Sequence, residues 1–171
     1  MFGLGKVARA RRAAVAAISP LVDLSRHRLG AIPVQAWRDP YVIGFMAMLI
    51  TLFAKDETEG RIGSEQLGLA QTEAWARITG ERDDLIGQEI CLLSNRRNAD
   101  FGEGCSNALQ FMKAFHGEQG LAGPHMSDIS EAAGRLAAEA DAVWPEHVDI
   151  FGKGGVVAAA LWTRFFEERV R

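Results

Sequence analysis

The sequence predicts an all-α protein: an antiparallel bundle of five or six core helices with one or two short N-terminal helices. Three observations carry that expectation. Apolar residues recur at spacings of three and four along most of the chain, which is the period of one face of an α-helix. No strand-like alternation of apolar and polar residues persists. Residues that start and stop helices fall at the ends of the periodic segments. The chain has 171 residues, 48% apolar and 24% charged, which is enough for one globular domain that needs no disulfide or metal to fold.

Residues 1–33 read as a basic, alanine-rich N-terminal arm, and residues 34–171 as a single helical domain. In the arm, residues 2–17 and 20–30 are expected as short helices, broken at Pro20 and at Gly30-Ala31-Ile32-Pro33. Asp39 as N-cap and Pro40 in the first turn open a helix that runs to about Lys55. Its centre, Tyr41 to Ala54, is apolar except for Thr51. Fourteen residues are too few to span a bilayer, which takes about 20, so this helix is expected to be buried on all sides.

Ser64 caps the next helix, with Leu67, Ala70, Ala74 and Ile78 on one face and Gly80 as its left-handed end. Asp83 begins a third, with Ile86, Ile90 and Leu93 inward. A fourth carries Phe101, Cys105, Ala108, Met112 and Phe115, and its start is either near Phe101 or at Ser106. Asp128-Ile129-Ser130-Glu131 has the form of a capping box and opens a fifth, facing inward through Ile129, Ala133, Leu136, Ala140 and Val143. The last helix follows Gly152-Lys153-Gly154-Gly155, with Val157, Ala158, Leu161, Trp162 and Phe165 inward. Strict up-and-down alternation would gather loops 55–64, 94–100 and 144–155 at one end of the bundle. Loops 79–83 and 116–127 would lie at the other.

Charge is unevenly placed. Residues 1–38 carry seven basic residues (Lys6, Arg9, Arg11, Arg12, Arg26, Arg28 and Arg38) against Asp23, a net +6. Residues 39–171 carry 12 basic and 21 acidic residues, a net −9. Opposite signs favour an arm that lies back on its own body or on a neighbouring copy. A second reading places residues 1–30 in peripheral contact with an anionic membrane. The overall net charge of −3 does not suit sequence-specific nucleic-acid binding. Arg11-Arg12 ahead of an alanine-rich run has the outline of a twin-arginine export signal, but Ser19-Pro20, Asp23 and Arg26 interrupt it, so a cytoplasmic location is expected.

Chemistry-bearing residues are sparse. Cys91 and Cys105 exclude an all-cysteine zinc site, and both fall on or near predicted inward faces. No Gly-x-Ser-x-Gly elbow occurs. His116 and His125 flank a glycine-rich loop, and a helix over 128–143, about 24 Å long, separates His125 from His147. The turn Asp56-Glu57-Thr58-Glu59-Gly60-Arg61-Ile62 matches part of an EF-hand loop, with Glu57, Glu59, Gly60 and Ile62 in register. Lys55 and Gln66 stand where that loop needs its first and last ligands. With Ser64-Glu65 after it, the same turn resembles the acidic inter-helix turn of the TerB-like helical bacterial proteins, over residues 45–75. That resemblance implies an association with metal stress.

Two functional expectations follow. The first is a non-enzymatic protein-interaction or self-association module with a basic docking arm, partnered by a second copy or another protein. No cofactor is expected for it, because no complete catalytic constellation stands in the sequence. The second is a divalent-metal or small-anion site at the loop end formed by residues 56–60 and 146–153. There Asp56, Glu59, His147 and Asp149 would hold the metal, and Lys153, ahead of a helix start, would meet the anion. Trp37, Trp75, Trp144 and Trp162 are many for this length, and Trp37 and Trp144 sit at helix ends where they anchor a partner or pack loops.

Overall fold

A computed structural model describes residues 2–82, 85–118 and 148–171. The helices are α1 (Phe2–Leu29), α2 (Pro40–Glu57), α3 (Ser64–Thr79), α4 (Ile86–Asn95), α5 (Ala99–Phe115) and α6 (Gly155–Trp162). A short 3-10 turn (Val34–Arg38) precedes α2, and a 3-10 stretch (Val148–Gly154) precedes α6. The last helix continues beyond Trp162 through a π-helical turn (Thr163–Glu167) into a final turn (Glu168–Val170). The fold is an all-α bundle, with no strand among the described residues. Among those residues no helix is long and apolar enough to cross a membrane. The helix expected over 128–143 lies outside the described residues.

α2 is the central helix. Asp39 Oδ1 accepts from the Tyr41 and Val42 amides at 2.9 and 3.2 Å, and Pro40 occupies the first turn, where no amide is needed. Phe45 lies at the middle of the core. Its ring centroid is 5.9–6.4 Å from those of Tyr41, Phe111, Trp162, Phe165 and Phe166. Such edge-on and offset contacts suit the quadrupoles of aromatic rings.

Four boundaries differ from the expectation. α3 is capped at Gly63, whose amide donates to Gln66 Oε1 at 3.3 Å, and Ser64 is its first helical residue. α5 starts at Ala99, because Asn98 Oδ1 accepts from the Phe101 amide at 2.9 Å. Gly102 and Gly104 therefore sit inside it. α4 begins at Ile86 rather than at Asp83. The expected break at Pro20 does not occur, and α1 is one helix of 28 residues. Pro20 removes an amide that would bond the Ala16 carbonyl, but both residues are exposed, so water can satisfy that carbonyl. Ile18, Leu21 and Val22, on either side of the proline in sequence, are fully buried and hold the helix together.

The segment expected as an arm lies in the bundle. Its buried stripe is Val7, Ala10, Ala14, Ile18 and Leu21. The alanines allow close approach to α2 and α3. Arg11 sits beside this stripe, half-buried and ion-paired with Glu73. Arg9 pairs with Glu57, and Arg26 donates to the Ile78 and Thr79 carbonyls at the end of α3, at 3.2 and 2.7 Å. A cation there satisfies orphaned carbonyls and the negative end of the helix dipole.

Strict alternation fails at one point. α2 and α5 run parallel, close enough that a Cβ on Gly44 would fall 2.2 Å from the Phe101 carbonyl oxygen. A Cβ on Gly104 would fall 2.2 Å from the Tyr41 oxygen. At the other end Phe53 meets Phe115 with ring centroids 5.1 Å apart. The cause is α4, whose ten residues reach only about 15 Å, too short to return along the bundle. Loop 94–100 therefore lies with the start of α2, and His116 lies with its end.

Candidate functional site

The described residues expected at a metal or anion site lie on two segments, the end of α2 and the 3-10 stretch before α6. Asp56 and Glu59 are exposed at the end of α2, and Glu59 is ion-paired with Arg61. Asp149 and Lys153 are exposed in the 3-10 stretch, and His147 lies outside the described residues. His116, expected at the far end, faces Asp56 with Nε2 3.6 Å from Oδ2. Among the described residues no three His, Cys, Asp or Glu side chains come together to hold a metal ion.

The glycines around Lys153 have a packing role. Gly152 has φ +67° and ψ −155°, a conformation that only glycine adopts readily. A Cβ on Gly154 would fall 1.8 Å from the Ala114 carbonyl oxygen. The stretch is shaped to press against the end of α5.

Ser25, Trp162 and Glu167 form a buried polar network. Trp162 Nε1 donates to Ser25 Oγ at 2.9 Å, and Ser25 Oγ donates to Glu167 Oε1 at 2.8 Å. Arg28 donates to Glu167 Oε2 at 2.7 Å. Ser25 and Glu167 are both 0% exposed, so this hydroxyl–carboxylate pair is closed to substrate and serves to tie α1 to α6.

Cys91 is exposed on α4, against the expectation of an inward thiol. Cys105 is half-buried, donates weakly to the Gly44 carbonyl at 3.4 Å, and has its pKa raised by burial. Burial of the Cys105 thiol opposes its ionisation to a thiolate. Burial also raises the pKa of Tyr41, against the opposing effects of the Asn107 hydrogen bond and the Arg169 guanidinium 4.1 Å above its ring.

A concavity lies at the other end of the bundle, where the turn before α2, the end of α3 and the start of α4 meet. It is a groove of about 440 Å³ lined by Val34, Trp37, Arg38, Ile43, Trp75, Glu81, Arg82, Leu85 and Glu89. Its floor is apolar. Trp37 is 4% exposed and packs edge-on against Trp75, with ring centroids 6.3 Å apart, and Ile43 lies beside them. Its lip is apolar too, since Leu85 is 61% and Val34 44% exposed.

Four charges surround the groove: Arg38, Arg82, Glu81 and Glu89. None of the four belongs to an ion pair among the described residues. Leu92, two helical turns beyond Leu85 on the same side of α4, is 41% exposed and extends the apolar surface.

Sequence reasoning singled out Trp37 as an anchor, named Trp75 and Arg38 without placing them at a site, and missed Leu85 and the other charges. The available signal was a leucine in an otherwise charged loop, seven residues before a second leucine that the inward face of α4 does not use. The chain matches no protein-family model, no curated protein and no solved structure.

Proposed function

We propose that this protein is a non-enzymatic protein-interaction module that docks its partner in the groove over Trp37 and Trp75. The observation that carries this reading is Leu85, a large apolar side chain 61% exposed on the lip of an apolar groove. Single exposed leucines are ordinary, but one at the mouth of a tryptophan-floored concavity has the anatomy of an interface centre. The polar rim is the part of an interface that excludes water and fixes register. A small basic docking arm is not needed for this reading, because Arg9, Arg11, Arg26 and Arg28 are already engaged on the body.

The test is selection of binding peptides from a displayed random library against the full chain. The expected ligands carry a bulky apolar residue and change the tryptophan fluorescence. They should bind the Leu85→Glu variant at least ~10-fold more weakly, a loss of about 1.4 kcal/mol or more. Peptides that bind wild type and Leu85→Glu equally well would refute docking at this groove.

A further inference from the structure

We infer that a second cleft, formed where α2, α5 and the helix end beyond Trp162 meet, binds a small zwitterion of the free α-amino acid class. This cleft shares no lining residue with the groove over Trp37 and Trp75, so the two readings stand or fall independently. Its volume is about 260 Å³. Pockets for drug-sized ligands begin at roughly 300 Å³, so the occupant here is smaller.

Tyr41 lines the cleft and is itself 1% exposed. Asn107 Nδ2 donates to its hydroxyl oxygen at 2.9 Å. A phenol also has a proton to give, and no acceptor takes it among the described residues. Burial favours the neutral phenol, which keeps that proton on the oxygen. A donor held in place by Asn107 and left without an acceptor suits a carboxylate oxygen.

Four charges line the cleft. Two are engaged with each other: Arg169 donates to Glu103 at 3.1 Å while its guanidinium covers the Tyr41 ring. The other two, Arg164 and Glu168, are exposed and belong to no ion pair among the described residues. They are four residues apart, the spacing at which a regular helix sets opposite charges side by side. Arg164 lies inside the π-helical turn and Glu168 follows it, so that register is lost between them. Single π-helical turns recur at functional sites.

The cleft thus offers one unpaired cation, one unpaired anion and one hydroxyl proton. A simple anion would meet Glu168, and a simple cation would meet Arg164. A molecule that carries both charges satisfies all three groups, its carboxylate at Arg164 and the Tyr41 hydroxyl and its ammonium at Glu168. Phe165 and Gln110 border the remaining space and would meet the ligand's side chain.

The experiment is thermal melting and isothermal titration calorimetry of the full chain with the common L-α-amino acids, each alone. The ligand is supplied at about 10 mM, where millimolar affinity already stabilises a fold measurably. At least one amino acid is expected to raise the melting temperature and to bind. Its N-acetyl derivative lacks the ammonium and its methyl ester lacks the carboxylate, and each should bind at least ~10-fold more weakly. Arg164→Gln and Glu168→Gln, both at exposed positions, should each weaken the free amino acid about 10-fold. Tyr41→Phe removes only the hydroxyl and should weaken it too, with its own melt reporting that the fold persists.

A wild type that binds none of these amino acids overturns the inference. So does a bound amino acid indifferent to both Arg164→Gln and Glu168→Gln, which would sit elsewhere. An N-acetyl derivative that binds as tightly as the free form would make the cleft a plain carboxylate site and remove the zwitterion.

Discussion

Glu167 is a carboxylate with 0% of its surface in water, and three neighbouring groups make that tolerable. The Ser25 hydroxyl satisfies one oxygen, the Arg28 guanidinium satisfies the other, and the Trp162 indole supplies the proton that Ser25 accepts. Burying a charge is costly unless its partners are complete, and removing one partner costs more than the pair contributes. Arg28→Ala is therefore expected to lower the unfolding free energy by about 3 kcal/mol, read as a reduced midpoint in urea with little change of slope. An effect near zero would mean that water reaches Glu167. The sequence did not disclose this network, since its members are 137 to 142 residues apart and carry no local signature.

At the scale of the helix, Pro20 shows how packing overrides a local rule. The local expectation is a break, because proline in a helix interior costs about 3 kcal/mol. The chain continues because Ile18, Leu21 and Val22 are each fully buried, and burying an aliphatic side chain contributes about 1.5–3 kcal/mol. Replacing Pro20 with alanine restores an amide donor on an exposed face, so Pro20→Ala should raise stability by about 1–3 kcal/mol in denaturant titration. A loss of stability would instead assign Pro20 a packing role. Other helix ends were legible: Asp39-Pro40 and Gly80 act as the sequence implies, because capping is a local interaction between near neighbours. The start of α5 was less legible, because Gly102 and Gly104 disfavour a helix locally. Gly104 earns its place only through its close approach to α2.

At the scale of the whole molecule, the all-α class was readable from periodicity, but the arrangement of loops was not. Alternation assumes that each helix is long enough to return, and α4, with ten residues, is not. That one short helix places the end of α5 with the end of α2, and it explains why His116 meets Asp56. The candidate site was hidden for a different reason: Trp37, Trp75 and Glu89 are far apart in sequence and carry no local sign that they meet.

The charge asymmetry was legible, and its consequence is α1 fastened along the body by Arg9–Glu57, Arg11–Glu73 and Arg28–Glu167. Exposed pairs contribute little, so the stronger bond is the burial of the α1 stripe. Removing residues 1–29 takes away the buried Ile18, Leu21 and Val22 and uncovers the core they pack against, a loss of about 5–9 kcal/mol, comparable with the whole stability of a domain. The truncated chain is expected to show no cooperative calorimetric transition. A sharp transition would identify residues 30–171 as self-sufficient.

The π-helical turn at Thr163–Glu167 carries a further consequence. Such a turn accommodates one residue more than an α-turn in the same span, and each residue advances an α-helix by about 100°. Everything after it is out of phase with everything before it by roughly that angle. This offset is what lets one continuous helix keep Trp162 and Phe166 in the core, point Glu167 at Arg28, and still bring Arg169 over the Tyr41 ring. The C-terminus is thus read in a different frame of rotation from the helix that delivers it, and the supernumerary residue is the gear that changes the frame.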